Sequence, residues 1–240
     1  MSTARRLGGI LVAGSAIGAI LLWSKSVIAG ATCKYTKYDG GVPKPVRDAF
    51  VERMAQTAQA MDFAKTGLPY GVLLAQASIE SGWGASKLAQ CNNNLFGIKG
   101  AGDGNPAWTL GKAKERIAGK TIWVPAKWAN FSSYAGSIAK WNEKVILWGA
   151  HNVKDPARFV LYLWAYGWAT DENYGWKILN QMSSLGYGVE VSPQVAALLQ
   201  KHKQMLLAGA TLTQRRNFVT SQVSLAGVAS LGGGFLEWKA

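Results

Sequence analysis

Metal ligands are scarce in this chain. Cys33, Cys91, His151 and His202 are its only cysteines and histidines, and no two of them fall at a metal-ligand spacing. No metal site and no cofactor are expected. Two cysteines cannot build the disulfide-dense framework of a small secreted module; they form one bridge or remain two separate thiols. Acidic residues are also few. The 13 Asp+Glu stand against 26 Lys+Arg, leaving a formal net charge of +13. Such a surface favours polyanions: nucleic acid, anionic lipid or an anionic cell wall. No run of Lys and Arg is long enough for a nucleic-acid arm, and helix-turn-helix and zinc-finger spacings are missing, so no nucleic-acid partner is expected. No internal repeat is visible.

What is present is a chain of 240 residues, 49% apolar, enough for one substantial domain plus extensions. Eleven Trp and eight Tyr fit sugar recognition, where flat rings stack on pyranose faces, and fit an aromatic core equally well. The N-terminus carries Arg5 and Arg6, then an uncharged run of seventeen residues from Leu7 to Trp23, then Lys25. That length is the short limit for a membrane span. Gly14 and Gly18 would let two spans pack closely. The run is read as an uncleaved anchor with the Arg pair cytoplasmic. The competing reading is a secretory signal cleaved near Ala29-Gly30-Ala31. Either way the bulk of the chain is exported.

A linker with Gly40, Gly41, Pro43 and Pro45 follows. Phe50, Met54, Ala58 and Met61 recur at helical spacing, and Gly67 is expected to end that helix. Pro69 opens the next one, which runs through Val72, Leu73, Leu74, Ala77 and Ile79 to Glu80. Cys91 to Gly100 reads as loop and short strand, and 100–106 as a flexible Gly-rich loop. Two strands are expected at about Lys112–Ile117 and Thr121–Lys127, joined through Ala118-Gly119 as a hairpin, with Pro125 marking an edge. Helices return near 136–148, 156–166, 174–185 and 192–208. The segment Phe218–Leu236 lacks Lys, Arg, Asp and Glu and reads as a surface-bound or docking element in preference to a second span. The resulting fold class is α+β and predominantly helical. The expected domains are 1–33 as anchor or signal, 34–45 as linker, 46–206 as the globular domain and 207–240 as a tail.

Within this frame the chemistry concentrates at Glu80-Ser81-Gly82-Trp83-Gly84. A lone carboxylate at the end of an apolar helix, followed by glycines and a large aromatic, suggests a helix opening into a cleft. Such a carboxyl has a raised pKa and can act as a general acid near neutral pH. Taken alone, a Glu at a helix end is more often only solvated.

Two further motifs follow in order: Asn94-Leu95-Phe96-Gly97-Ile98-Lys99-Gly100 and Ala169-Thr170-Asp171-Glu172-Asn173-Tyr174. The set of three resembles the signature of glycoside hydrolase family 73. This family comprises the peptidoglycan N-acetylglucosaminidases of autolysins, flagellar-rod muramidases and phage lysins. The similarity runs from about Pro43 to Leu206. It implies a lysozyme-like, mainly helical fold with a small β-hairpin lobe, and a peptidoglycan glycan strand as substrate. It implies that Glu80 protonates the glycosidic oxygen. The family carries a second carboxylate on the β-lobe, and Glu115 falls at the matching place; taken alone, Glu115 among Lys112, Lys114 and Arg116 reads as a solvated strand charge. Glu143 is the fallback, inside an expected helix. Tyr174 matches a tyrosine that lies near the acid and positions substrate. Attack by the substrate's own N-acetyl group is the alternative to a second carboxylate. Trp83, Asn94, Phe96, Gly97, Tyr134, Trp168, Thr170 and Asp171 are the expected substrate-binding residues, with Trp83 and Phe96 as candidate walls of the acid's site. Two positions depart from the family pattern: Trp168 stands where Tyr is common, and Glu172 where Pro is common.

No cell-wall-binding repeat follows the expected catalytic region, so charge and the N-terminal segment must supply targeting. Two other function classes compete. A lytic transglycosylase would yield anhydro-muramyl products, but its usual Gly-Leu-Met-Gln type motif is replaced here by Asn-Asn-Leu-Phe-Gly-Ile-Lys. A non-enzymatic wall-binding or envelope protein has no need of Glu80 and Tyr174. The weak Gly/Ala-rich anchor with Cys33 just beyond it also resembles the releasable anchors of some phage lysins. A partner in a virion or secretion apparatus is a related expectation.

Overall fold

The structure is a computed structural model and describes residues 33–117 and 120–226; for 114–117, 120–121 and 223–226 only the backbone is described. The N-terminal run Leu7–Trp23, the Ala29-Gly30-Ala31 site, the Ala118-Gly119 turn and the tail beyond 226 lie outside the described residues. Helix α1, Lys44–Ala60, starts with Pro45 in its first turn, where a missing N–H costs nothing. Its Phe50, Met54 and Ala58 are buried, as their four-residue spacing requires. The helix ends earlier than Gly67. Asp62 takes a left-handed conformation, and a separate 3₁₀ turn, Phe63–Thr66, intervenes before Gly67 closes it in the same region. That detour drives Phe63 into the core against Tyr70 and Trp141.

Helix α2, Tyr70–Ser81, is buried on nearly every side from Tyr70 to Ser78, the expected fate of a helix apolar all round. Helix α5, Pro156–Ala165, is almost equally enclosed, and Asp155 caps it by accepting from the Arg158 N–H at 2.7 Å. These two helices form the centre. Around them lie α4 (Tyr134–Leu147), α6 (Tyr174–Ser184), α7 (Pro193–Leu207) and α8 (Leu212–Ala226), with a 3₁₀ turn at Ala150–Asn152. The four helices expected between 136 and 208 are thus present to within two residues at either end.

Three differences follow from local physics. A short helix, α3, Lys87–Asn92, stands where no element is expected and runs two residues into the segment read as loop; Ser86 caps it by accepting from the Ala89 N–H at 3.1 Å. Six residues are too few to display a helical period. The strand expected within Leu95–Gly100 reduces to one bridge, Lys99 to Trp128. The hairpin strands, β1 (Trp108–Ile117) and β2 (Lys120–Ala129), are longer than expected and pair antiparallel from Trp108↔Ala129 to Ile117↔Lys120. Pro125 faces Lys112 in this two-stranded sheet, where each strand is an edge and a missing donor is tolerated. At the other end of the chain, the helix α8 within the expected tail packs on α5 and buries Val219.

Cys33 and Cys91 form a disulfide, with Cα atoms 5.7 Å apart across a sequence separation of 58. Beside it the Gln90 amide accepts from the Thr36 N–H and donates to the Thr36 carbonyl, each at 2.9 Å. The segment leading into α1 is thereby tied to α3. Among the described residues no helix is long and apolar enough to cross a membrane, and no group of His, Cys, Asp and Glu could hold a metal ion.

Candidate active site

Glu80 occupies the last turn of α2. Beyond it Gly82, Trp83 and Gly84 adopt positive φ in succession, at 56°, 59° and 73°. Only glycine takes that region freely, so Trp83 holds a strained backbone. Ser81 stabilises the turn by donating to the Ala77 carbonyl and accepting from the Gly84 N–H at 2.7 Å. Gly84 is required for space as well as for φ: a Cβ there would lie 2.8 Å from the Phe50 ring and 2.9 Å from the Tyr134 hydroxyl. The chain thus reverses immediately after Glu80 and leaves the residue half-buried, with its carboxyl turned inward to Tyr174.

The first residue of α6 completes the site. Tyr174 donates its hydroxyl to Glu80 Oε1 at 2.8 Å. Gln76, one turn before Glu80 on the same face of α2, donates from Nε2 to the Tyr174 oxygen at 2.8 Å. Trp141 of α4 donates from Nε1 to Gln76 Oε1 at 2.7 Å. Gln76, Trp141 and Tyr174 are all buried. Burial raises the Glu80 pKa from its ordinary 4.5 to about 7, and the Tyr174 hydrogen bond pulls it back only partly. The same burial, together with the Glu80 charge, pushes the Tyr174 phenol well above its ordinary range, so it stays protonated. A carboxyl near pH 7 can hold and release a proton in the working range of a general acid.

Asp171 sets the entry to α6. Its backbone carbonyl accepts from Trp164 Nε1 at 3.0 Å and from the Tyr174 N–H at 3.1 Å, and its Oδ1 accepts from the Asn173 N–H at 2.9 Å. Burial works against its charge, but Lys177, bonded to Oδ2, and the Asn173 N–H outweigh that and hold the carboxyl below its usual range.

A family model described as mannosyl-glycoprotein endo-beta-N-acetylglucosaminidase matches residues 55–186, more than half of the chain and the span from α1 to the end of α6. The chain belongs to the Glucosaminidase family. The peptidoglycan hydrolase FlgJ of Escherichia coli K12 is 28% identical over 159 residues, covering 62% of this chain and 49% of that protein. The exo-glucosaminidase LytG of Bacillus subtilis is 31% identical over 144 residues, covering 55% and 49%. The chain therefore spans about half the length of these relatives. Among solved structures, the catalytic domain of the autolysin Auto from Listeria monocytogenes superposes with a TM-score of 0.51 at 28% identity, covering 61% of this chain and 88% of that one. The mainly helical body with a two-stranded lobe is the lysozyme-like fold of this class.

Not every residue expected at the glucosaminidase site is placed to touch a ligand. Asn94 is buried, and its amide is committed to its own loop: it donates to the Ile98 and Ala129 carbonyls at 2.8 and 2.9 Å and accepts from the Ile98 N–H at 2.9 Å. It holds the loop to the end of β2. Phe96 is not an open wall either; it is buried, stacked on Trp141 with centroids 5.9 Å apart. Trp168 meets Phe96 edge-on at 6.2 Å and stays half-buried. Gly97 makes the positive-φ turn (60°) of the loop. Tyr134 is buried under Arg53, whose guanidinium lies 3.8 Å from its ring centre, and it supports the Gly84 turn. Trp83 is half-buried with Arg47 over its ring, and Thr170 is exposed. Glu115 pairs with Ile122 in the hairpin register, and its side chain is outside the described residues. Glu143 is exposed and paired with Lys140 at 2.7 Å on α4, a solvated ion pair unsuited to act as the fallback. His202 is fully buried edge-on to Trp164, and burial, then Arg215, pushes its pKa down to about 4. It is a neutral core residue.

Gln76 and Trp141 are the members that sequence reasoning missed. One signal was available: Gln76 is the single long polar side chain in the apolar run from Val72 to Ala77, four residues before Glu80.

Proposed function

We propose that this glucosaminidase hydrolyses the β-1,4 bond after N-acetylglucosamine in peptidoglycan, with Glu80 as general acid. The observation that carries the reading is a carboxyl that burial raises to a pKa of about 7, held by a protonated tyrosine next to a reversing turn. Glu80 protonates the leaving oxygen while positive charge builds on the sugar ring. Tyr174 holds the carboxyl in place. Either Glu115, carried on the hairpin, activates water or steadies that charge, or the substrate's acetamido oxygen attacks the anomeric carbon. Trp83 and Trp168, half-buried rings, are the proposed sugar contacts, with Thr170 at the exposed edge. The peptidoglycan hydrolase and glucosaminidase relatives support the substrate class. Digestion of purified peptidoglycan followed by mass spectrometry tests the reaction. Products with reducing N-acetylglucosamine ends are expected; anhydro-muramyl ends would assign a lytic transglycosylase instead.

The Cys33–Cys91 bridge supports action outside the reducing cytosol. On sequence grounds the run Leu7–Trp23 is the proposed tether to the membrane, facing the wall. Fractionating cells before and after depolarisation separates a permanent anchor from the releasable kind used by phage lysins.

A further inference from the structure

We propose that Gln76 and Trp141 are positioning residues that set the direction of the hydrogen-bond chain, so that Glu80 carries its acidic proton on Oε2, the oxygen Tyr174 does not touch. The inference rests on Glu80 being the general acid. It begins from the one group in the chain with no choice. An indole N–H can only donate, so the amide atom 2.7 Å from Trp141 Nε1 must be the Gln76 oxygen. The amide nitrogen is then the atom facing Tyr174, and it donates to the phenol oxygen at 2.8 Å. Turning the amide over would set two N–H groups against each other in a buried site, leaving both without an acceptor. With Gln76 donating to it, the Tyr174 hydroxyl has only Glu80 Oε1 left as acceptor, at 2.8 Å. The chain runs one way: Trp141 to Gln76 to Tyr174 to Glu80.

This direction matters for the acid. Oε1 is obliged to accept in both protonation states of Glu80. The proton of the acid form therefore goes to Oε2, clear of the tyrosine and available to a leaving oxygen. A glutamic acid and a tyrosine alone could adopt the reverse order, with the carboxyl donating to the phenol and its proton held back. The three helices α2, α4 and α6 each contribute to preventing that. A fully buried Gln also costs desolvation unless both ends of its amide are used, and here both are. The charged groups around the chain do not set its direction. Asp171 stands ahead of α6 and its partner Lys177 within it, and the Asp171 charge serves to keep the Tyr174 phenol protonated; α4 brings Trp141 and, over the Trp168 ring, Lys144; and from α1, Arg47 and Arg53 lie over the rings of Trp83 and Tyr134.

The test uses the full chain with Gln76→Glu, Gln76→Met and Trp141→Phe, reading pH–rate profiles of peptidoglycan digestion alongside thermal melts. A protonated Glu at 76 can accept from Trp141 and donate to Tyr174, whereas its carboxylate would compete for the tyrosine proton. Gln76→Glu is expected to keep near wild-type kcat at acid pH, where residue 76 is protonated, and to lose about tenfold or more once it ionises, so that the basic limb takes the shape of two coupled carboxyls in place of one. Gln76→Met is expected to lower kcat about tenfold at unchanged KM and to move the basic limb up, because the carboxyl can now donate to Tyr174. Trp141→Phe frees the amide to turn and should show a weaker form of the Gln76→Met profile. Wild-type limbs in all three variants, or losses equal at every pH and proportional to lost stability, overturn the inference and leave a structural role. Glu80→Gln run in parallel separates the two levels: if it stays active, the acid assignment itself fails; if it is inactive while the Gln76 variants keep the wild-type profile, only the directional role fails.

Discussion

Replacing Cys91 with Ser opens a link between residues 58 apart in sequence. The loop it closes contains α1, α2 and the Glu80 turn. In the chain-entropy picture, a closure of that length removes about 4 kcal/mol of freedom from the unfolded chain. The folded state should change little, because the paired hydrogen bonds between Gln90 and Thr36 at 2.9 Å remain at the same junction. The expected loss is therefore about 2–4 kcal/mol, the lower figure allowing for residual structure in the unfolded reference. Urea unfolding of Cys91→Ser, Cys33→Ser and the double variant gives the measurement. The double variant should match either single one, since all three remove one bond. Alkylation of the native protein without reductant should find neither Cys33 nor Cys91 free. A loss below about 1 kcal/mol, or two reactive thiols in the native protein, would refute the reasoning.

Three further predictions concern the site. Tyr174→Phe removes the donor to Glu80 Oε1 and strands Gln76 Nε2; activity should fall about 10-fold or more, and the basic limb of the pH–rate profile should move up, since the lost hydrogen bond was lowering the Glu80 pKa. Glu80→Gln should be more stable than wild type at alkaline pH. The folded carboxyl has its pKa raised from 4.5 to about 7, so native stability is fullest below 4.5 and is lost as pH rises through about 7. Thermal melts should show a gain on the order of 2 kcal/mol at about pH 8 that vanishes towards about pH 4. Gly84→Ala places a Cβ 2.8 Å from Phe50 at a φ of 73° and should cost about 2–3 kcal/mol by denaturant unfolding.

Much of this architecture is legible in the residues because it is written in period. Phe50, Met54 and Ala58 announce the buried face of α1, and Pro156 and Pro193 stand at the first positions of α5 and α7. The hairpin shows itself through β-branched residues on either side of Ala118-Gly119. Period fails where an element is a few residues long, as in α3, or where one residue leaves the helix, as Asp62 does at a φ of 51°. It also says nothing about which polar group meets which. Asn94 and Gln76 are both buried amides near the acid, but Asn94 closes its own loop while Gln76 reaches Tyr174 from 98 residues away in sequence. Trp141 looks like any core tryptophan until its N–H is seen to meet Gln76. The disulfide was one of two readings for Cys33 and Cys91, and only the approach of α3 to the N-terminal segment decides it.

Every step of the proposed reaction depends on Glu80 supplying the proton. The rate at which full-length Glu80→Gln releases reducing ends from purified peptidoglycan tests it most directly. A loss of roughly 10²–10⁴-fold is expected, in a variant that melts no lower than wild type at pH 7 and above. Activity within about tenfold of wild type, in a protein equally well folded, would contradict it.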